Sequence, residues 1–383
     1  MFDRWVKAAL DGQVSGVVLL NLSAAFDLVD PELLLKKLKG YGFDDDILTW
    51  VESYLTNRYQ AVWIDHTLSD FLSCPVGVPQ GSNLGPLFFL IFYNDLPHVL
   101  NCEADAYADD TTMTVAGKNV EEIGARMTEN CGLVTNWMIG NKLKLNADKT
   151  HMMTVGTNAR LRLQDSPVIV NMDGCLIDES EDKFETLLGV QIEPSLKWHI
   201  QVEELLKKLK KRLTGLVHLR NILPLGLRKR ITEGMFTSVL VYCLPVFGGC
   251  DRFEMEALQI MQNKAARLVT HASLKTSRKD IFSQLGWMTV TQLVFYHTAL
   301  TTFRIRESRE PEYLSKIMCS DNRAKRIIIP NTSLTLAKSS YCYRGAAQWN
   351  SLPDHIRNMK KIGHFNSSLK KWIHLHVSQF VDG

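Results

Sequence analysis

The stretch that decides the fold is Tyr107-Ala108-Asp109-Asp110, set between Ala104-Asp105-Ala106 and Thr111-Thr112-Met113-Thr114-Val115. The β-branched residues on its far side favour extended structure, so the stretch predicts two strands joined by a tight turn. Two adjacent carboxylates at that turn repel each other unless one is protonated or a cation lies beside them. A Mg²⁺ ion is the usual cation, whereas an ordinary solvated turn is the simpler alternative for an isolated Asp-Asp pair.

Four further blocks accompany this turn in the sequence. A buried strand with a polar exit is predicted at residues 16–27, and a loop rich in glycine and proline runs into an apolar helix at residues 77–93. The other two blocks are Lys142-Leu143-Lys144-Leu145-Asn146-Ala147-Asp148-Lys149-Thr150 and Leu187-Leu188-Gly189-Val190. Because phosphoryl transfer with two metal ions needs carboxylates from separate strands, the blocks matter more together than the turn does alone.

In this order and spacing the five blocks resemble the palm of a reverse transcriptase, most closely that of non-LTR (LINE-type, jockey-like) retrotransposons. The resemblance covers about residues 10–195 and continues more loosely to the end. It implies an α+β fold, with an antiparallel palm sheet and packed helices followed by a mainly helical thumb and C-terminal region. It also implies RNA-directed DNA polymerase (nucleotidyltransferase) activity with two Mg²⁺ ions, an RNA template, a DNA primer and dNTPs.

The resemblance assigns roles to single residues. Asp109 is similar to the carboxylate that binds both metals, and Asp110 is its supporting neighbour. Phe26 occupies the position that excludes a 2′-hydroxyl, although a core aromatic is the simpler interpretation. Gln80 resembles the residue that lies against the template and the incoming base pair, and Lys149 resembles the lysine near the triphosphate.

Leu188 and Gly189 resemble residues of the strand that grips the primer end in this family.

One position departs from the family pattern. The family motif begins with an aspartate five residues before the aromatic, and this chain has Asn21 there. An amide offers an oxygen but no charge, so the metals would lose about one unit of neutralisation at short range. The sequence therefore predicts impaired catalysis, by roughly a thousandfold or more. Asp27 is a poor substitute, since with Asp30 it resembles a helix entry.

Charge is divided unevenly along the chain. Residues 1–150 hold 11 Lys and Arg against 20 Asp and Glu, and the remainder holds 33 against 21. An acidic palm would host metals, and a basic second half could follow a phosphate backbone. The most basic element is the amphipathic helix predicted at residues 202–219, although a solvated surface helix is an equal alternative. Its candidate backbone contacts are Lys207, Lys208, Lys210, Lys211 and Arg212.

The domain prediction has three parts: a palm at residues 1–194 with the fingers largely missing, a thumb-like region at 195–275 and a C-terminal helical region at 276–383. Only twenty residues precede Asn21, so we expect a chain truncated at its amino end. Apolar stretches at 84–93 and 234–250 are short or interrupted by Pro245 and glycines, which predicts no membrane partner. The chain start is not a signal peptide, so we expect an intracellular protein, nuclear or cytoplasmic and not secreted. The alternative function is an inactive retrotransposon remnant, at most a nucleic-acid-binding scaffold.

Local signals predict several elements. Asp30 and Asp44 are expected to begin helices that run to Lys39 and Tyr54. A third helix is predicted around residues 120–138. Strands are predicted at 60–64, 151–155 and 187–192, and a hairpin at 168–177 around Asp173-Gly174. The stretch from Arg344 to Pro353 is interpreted as a structural turn.

Overall fold

The computed structural model describes residues 1–146, 149–164, 166–172, 174–177, 183–319, 326–329, 331–332 and 334–376. The contacts divide the chain into two compact units. The first comprises residue 1 and residues 11–182, and the second comprises residues 2–10 and 183–383. The predicted three-part division into domains stays a prediction.

Strands are concentrated in the first unit. They are β1 (Val14–Leu20), β2 (Tyr59–Gln60), β3 (Trp63–Ile64), β4 (Thr67–Leu68), β5 (Leu72–Ser73), β6 (Glu103–Tyr107), β7 (Asp110–Gly117), β8 (His151–Val155), β9 (Val170–Met172), β10 (Cys175–Ile177), β11 (Glu185–Leu187) and β12 (Val190–Ile192).

Helices occur in both units and dominate the second. They are α1 (Phe2–Leu10), α2 (Pro31–Gly40), α3 (Asp45–Leu55), α4 (Gly85–Tyr93), α5 (Leu96–Val99), α6 (Val120–Gly140), α7 (Asn158–Leu161), α8 (His199–Val217), α9 (Leu225–Thr232), α10 (Ser238–Val241), α11 (Leu244–Phe247), α12 (Arg252–Thr270), α13 (Arg278–Leu285), α14 (Val290–Ser308), α15 (Glu312–Met318), α16 (Thr335–Ser339), α17 (Tyr341–Ser351), α18 (Asp354–Arg357) and α19 (Ile362–Leu375). A 3-10 turn spans Ala25–Leu28, and a π-helical turn spans Glu233–Thr237.

The centre of the first unit is an antiparallel four-stranded sheet in the order β6-β7-β1-β8. Alternate residues of β1 and β7, such as Val18 and Met113, are fully buried in one hydrophobic core with Phe92 of α4 and Ile123 of α6. This arrangement confirms the predicted α+β class, because helices pack on an antiparallel sheet and a mainly helical region follows.

The predicted helix starts are confirmed at α2 and α3. The Asp30 side chain accepts a hydrogen bond from the Leu33 backbone N–H at 3.0 Å, and Asp44 does the same for Ile47 at 2.9 Å. These caps satisfy backbone donors that the first helical turn leaves unpaired. Strand β8 has the predicted bounds.

Three local predictions were wrong. The strand expected at 60–64 is broken into β2 and β3, which pair with β5 and β4. The strand expected at 187–192 is a hairpin whose turn is Leu188-Gly189. The stretch from Arg344 to Pro353, interpreted as a turn, lies mostly within α17. Gly345 is tolerated inside this helix, which ends before Pro353. In the hairpin expected near 168–177, β9 and β10 pair as predicted, while Asp173 lies outside the described residues.

The second unit is built around α14, which is buried over most of its length. Arg344 of α17 donates hydrogen bonds to the carbonyl oxygens of Ser339 at 2.9 Å, Pro245 at 2.5 Å and Val246 at 3.2 Å. The arginine therefore joins α17 to α11 and to the end of α16. In the part of the chain that the structure describes, no helix combines the length and apolar character needed to cross a membrane.

Candidate active site

The acidic tetrapeptide forms the tip of the β6–β7 hairpin. Tyr107 pairs with Asp110 across the two strands, so the turn consists of Ala108 and Asp109 alone. Ala108 has a φ of 54°, a left-handed conformation that costs a residue with a Cβ about 1–2 kcal/mol. The hairpin thus presents both aspartates at one end of the sheet, as the sequence predicts.

Asn21 lies beside this tip because of the strand register. β1 pairs with β7 so that Leu20 is opposite Thr111. Asn21 directly follows Leu20 and Asp110 directly precedes Thr111, so the two residues stand side by side at the ends of neighbouring strands. Leu20 and Thr111 are buried on the core side, and alternation along a strand directs Asn21 and Asp110 to the other face.

The electrostatics of the tip reflect its two carboxylates. Burial, and secondarily the charge of Asp109, raise the pKa of Asp110. Behind the tip, the hydroxyl groups of Tyr93 and Thr111 are hydrogen bonded at 3.0 Å. Burial chiefly, with a contribution from both aspartates, raises the pKa of Tyr93 to about 12. The tip is therefore a site whose negative charge would be stabilised by a cation.

The residues at the tip offer oxygen ligands, which suit a hard cation, but only two of the three carry a negative charge. The donor set consists of the carboxylates of Asp109 and Asp110 and the amide oxygen of Asn21, and oxygen ligands are those that Mg²⁺ prefers. Among the described residues no group of three or more His, Cys, Asp or Glu side chains converges as a metal site. An aspartate at position 21 would supply the third carboxylate.

Phe26 belongs to an aromatic row that leads to the hairpin. It lies in the 3-10 turn after β1, is half-buried, and stacks on Phe89 with the ring centroids 4.4 Å apart. Phe89 stacks in turn on Tyr93 at 5.5 Å, and Tyr93 is the residue bonded to Thr111 of β7. The row fixes the position of Phe26 relative to the acidic tip.

The loop that carries Gln80 is bonded to the same segment. The Val78 N–H donates to the Phe26 carbonyl oxygen at 2.9 Å, and Gln80 Nε2 donates to Asp27 Oδ1 at 2.8 Å. Gly77 has a φ of +86°, and a Cβ at this position would lie 2.8 Å from the Asp27 carbonyl oxygen. Glycine is therefore required for this close approach. Sequence reasoning missed Asp27 as the partner of Gln80, since residues 53 positions apart give no local signal.

Lys149 is connected to Asn21 through the backbone. The Asn146 N–H donates to the Asn21 carbonyl oxygen at 2.9 Å, and the Lys149 N–H donates to the Asn146 carbonyl oxygen at 3.2 Å. The Lys149 side chain is exposed, and the neighbouring Asp148 lies outside the described residues. The segment from Asn146, which is hydrogen bonded to Asn21, thus brings the backbone of Lys149 into the vicinity of the sheet end.

The primer-grip candidates lie in the second unit. Leu188 and Gly189 form the two-residue turn between β11 and β12, with φ angles of 48° and 79°. Positive φ at both positions is the geometry of a type I′ turn. The Tyr242 hydroxyl donates to the Leu188 carbonyl oxygen at 2.6 Å, a contact that the sequence did not predict.

The basic helix predicted at 202–219 is α8. Lys207 is paired with Glu203 at 3.0 Å and with Glu204 at 2.8 Å. The other four basic residues are exposed, and within the described ranges none has an ion-pair partner: Lys208, Lys210, Lys211 and Arg212. These four cations are the accessible ones of the helix.

An acidic hairpin beside the end of a neighbouring antiparallel strand, with helices on the core face, defines the palm of a nucleic acid polymerase. Residues 5–192 match the family model described as reverse transcriptase (RNA-dependent DNA polymerase). The chain thus carries a reverse transcriptase domain, related to the RNA-directed DNA polymerases of jockey-like non-LTR retrotransposons.

Two relatives give the extent of the sequence similarity. The RNA-directed DNA polymerase from mobile element jockey of Drosophila melanogaster is 28% identical over 273 residues, covering 68% of this chain and 29% of that protein. The probable RNA-directed DNA polymerase from transposon BS of the same species is 24% identical over 316 residues, covering 79% of this chain and 34% of that protein. The chain therefore spans about a third of the length of these relatives.

Apo telomerase from Candida tropicalis has a TM-score of 0.46 and 11% identity, covering 99% of this chain and 54% of that one.

Proposed function

We propose that this chain is the palm and thumb part of an RNA-directed DNA polymerase, which adds deoxynucleotides to a DNA primer on an RNA template. The observation that supports the proposal is the β1–β7 register, which sets Asn21 beside the tip that carries Asp109 and Asp110. Since RNA template, primer and dNTPs are intracellular, we extend the proposal to a nuclear or cytoplasmic location.

Asp109 and Asp110 would hold two Mg²⁺ ions, with the Asn21 amide oxygen as an uncharged third ligand. When bound, such ions activate the primer 3′-hydroxyl and neutralise charge on the triphosphate. The pKa of Asp110 is raised by burial first and by Asp109 second, which supports this assignment, because a carboxylate whose ionised form is destabilised gains most from a bound cation.

The remaining residues would orient the substrates. Phe26 would pack against the sugar of the incoming nucleotide, where its ring leaves no room for a 2′-hydroxyl. Gln80, held by Asp27, would lie against the template base pair. The Lys149 ammonium would offset charge on the leaving pyrophosphate, and the Leu188-Gly189 turn would hold the primer end.

A second candidate function is that of a nucleic-acid-binding scaffold without catalysis. The observation that favours it is Asn21 itself, which leaves the site one negative charge short. Loss of one charge next to two metal ions would remove several kcal/mol of transition-state stabilisation, or about a thousandfold in rate.

Primer extension on an RNA template distinguishes the two functions. We expect the Asn21→Asp variant to extend a DNA primer about a thousandfold faster than the unmodified chain. Asp109→Ala, introduced into the Asn21→Asp variant, should abolish extension and controls for a contaminating polymerase. Equal rates for the unmodified chain and Asn21→Asp would refute the role of residue 21. A silent Asn21→Asp variant that still binds primer-template would instead favour the scaffold.

A further inference from the structure

A cavity of about 750 Å³ lies in the second unit, between the start of α12, helix α13 and the α13–α14 connection. This volume is typical of a site for a small molecule or a single nucleotide. Six of the residues that line it carry the argument: Arg252, Arg278, Lys279, Phe282, Trp287 and Gln292.

The rim of the cavity carries an excess of positive charge. Arg278 and Lys279 occupy the first turn of α13, where the positive end of the helix dipole disfavours cations. In the described parts of the chain neither residue has an ion-pair partner, whereas Arg252 is paired with Glu256 at 3.2 Å. Bringing an anion into the cavity would offset both the mutual repulsion and the unfavourable dipole.

The wall of the cavity is apolar and rigid. Phe282 and Trp287 pack edge to face with ring centroids 6.2 Å apart and an angle of 89°. The Trp287 indole N–H donates to Glu233 at 2.8 Å, which fixes the ring. Phe282 and Trp287 are 5% and 9% exposed, so an edge of each ring lines the cavity while the rest is packed. A free phosphate would use the rim but not this wall, whereas a ligand that also has an apolar, planar part would use both.

Gln292 adds a directional donor. It is only 3% exposed, and its Oε1 accepts a hydrogen bond from the Thr289 N–H at 2.9 Å. Its Nε2 makes no hydrogen bond to any residue that the structure describes. This nitrogen is not sealed from solvent, so it opens to the cavity, and a ligand carbonyl or ring nitrogen would accept a hydrogen bond from it in place of water.

We propose that this cavity binds one nucleotide of a single-stranded nucleic acid, with the phosphate at Arg278 and Lys279 and the base at the Phe282–Trp287 wall. Bases within a duplex are stacked and cannot enter a cavity, so the site selects single strands. The inference rests on the proposed function only in that the chain acts on nucleic acid, and it does not require catalysis.

The test measures the affinity of the full chain for a fluorescein-labelled single-stranded RNA by fluorescence anisotropy. We expect Arg278→Glu/Lys279→Glu to weaken binding at least about tenfold. The matched control, Lys264→Glu/Lys360→Glu, makes the same charge change at exposed lysines of the same unit outside the cavity, and should weaken binding by less than about threefold.

A second variant tests the space of the cavity without changing its charge. Ser283 is exposed and lines the cavity, so Ser283→Trp fills it without changing charge, and Ser283→Ala is its control. We expect at least about fivefold weaker binding for the tryptophan variant only. Photocrosslinking of an iodouridine-containing RNA to the unmodified chain should label residues 282–287, which gives a readout that needs no variant to fold.

Each of the following results would overturn the inference: unchanged affinity in the folded Ser283→Trp variant, equal competition by duplex and single-stranded RNA, or preferential binding of a phosphorylated acidic peptide. Absence of a crosslink at 282–287 would do the same. Failed primer extension by the Asn21→Asp variant, with normal binding of single-stranded RNA, would refute the proposed polymerase activity alone.

Discussion

At the scale of single residues, Asp110 is destabilised by burial and by Asp109, so its pKa in the folded chain lies above the ordinary value of 3.8. The folded state therefore binds this proton more tightly than the unfolded state. Protonation of Asp110 therefore contributes its full stabilisation to the folded state below pH 3.8. This stabilisation is lost as the pH rises through the pKa of Asp110 in the folded state. At neutral pH the ionised residue opposes folding.

We accordingly expect Asp110→Asn to raise the melting temperature at about pH 7 and to change it less near pH 4. Mg²⁺ should raise the melting temperature of the unmodified chain more than that of the variant, because the variant lacks one of the two carboxylates proposed to hold the metal. Thermal unfolding followed by circular dichroism measures both. Asp70→Asn removes an equal charge from an exposed position of the same unit and is the control. A lower melting temperature for Asp110→Asn at neutral pH would contradict the prediction.

Phe26 has two interpretations that a substitution can separate. In the Asn21→Asp variant, Phe26→Ala should reduce the preference for dNTPs over rNTPs by at least about tenfold, because the 2′-hydroxyl then finds space. Phe26→Tyr keeps the ring and should keep the preference. Single-nucleotide incorporation kinetics measure the ratio. If Phe26→Ala lowers stability through its lost stacking on Phe89 but leaves the ratio unchanged, Phe26 is only a core aromatic.

At the scale of elements, the loop at residues 77–80 depends on Gly77. Both Gly77 and Gly81 have positive φ, at +86° and +79°, but only Gly77 faces an obstacle, since a Cβ at Gly81 would meet no atom within 4 Å. Gly77→Ala should therefore cost about 1–3 kcal/mol of unfolding free energy beyond the cost of Gly81→Ala. Urea unfolding of the two variants isolates the contact with the Asp27 carbonyl. Equal losses would show that left-handed backbone alone accounts for the cost.

The elements also show what sequence reasoning can reach. β1 and β7 could be predicted because apolar and β-branched runs have local signatures, and Asp30 before Pro31 is a direct helix signal. The short strands from Tyr59 to Ser73 have exposed side chains and no alternating core face, so their boundaries could not be predicted.

In the candidate site, the residues could be predicted from the sequence, but the hydrogen bonds between them could not. The positions of Asn21 and Asp109 came from motif order, whereas the bonds that fix the site did not. Tyr93 with Thr111 and Gln80 with Asp27 join segments that meet only after folding. Such pairs depend on tertiary packing, which local propensity does not encode.

At the scale of the whole molecule, Arg344 connects separate helices of the second unit. Burial lowers the pKa of its guanidinium to about 10, which still leaves it charged at neutral pH. Arg344→Met removes the donors to three backbone carbonyls, so we expect a loss of about 2–4 kcal/mol of unfolding free energy. Arg304→Met, at an exposed position of α14, should stay within about 0.5 kcal/mol. Equal midpoints of chemical unfolding would show that Arg344 is dispensable.

The two units carry opposite charge. The first has 11 Lys and Arg against 25 Asp and Glu, and the second has 33 against 16. The first unit repels a phosphate backbone wherever cations do not intervene, so binding of nucleic acid should depend on the second. Each lysine that contacts a phosphate on a duplex contributes about 0.9 to the slope of log affinity against log salt concentration.

Two lysines of helix α8 allow the contribution of an unpaired cation to be compared with that of an ion-paired one. Lys211 is exposed and has no ion-pair partner among the described residues, whereas Lys207 is already neutralised by Glu203 and Glu204. We expect Lys211→Ala to reduce the salt slope for a primer-template duplex by about 0.9, and Lys207→Ala to reduce it by clearly less. Anisotropy titrations across a series of salt concentrations give both slopes. A larger reduction for Lys207→Ala would mean that the lysine releases its glutamates to reach the phosphates, and that the ion pairs do not set which cations bind.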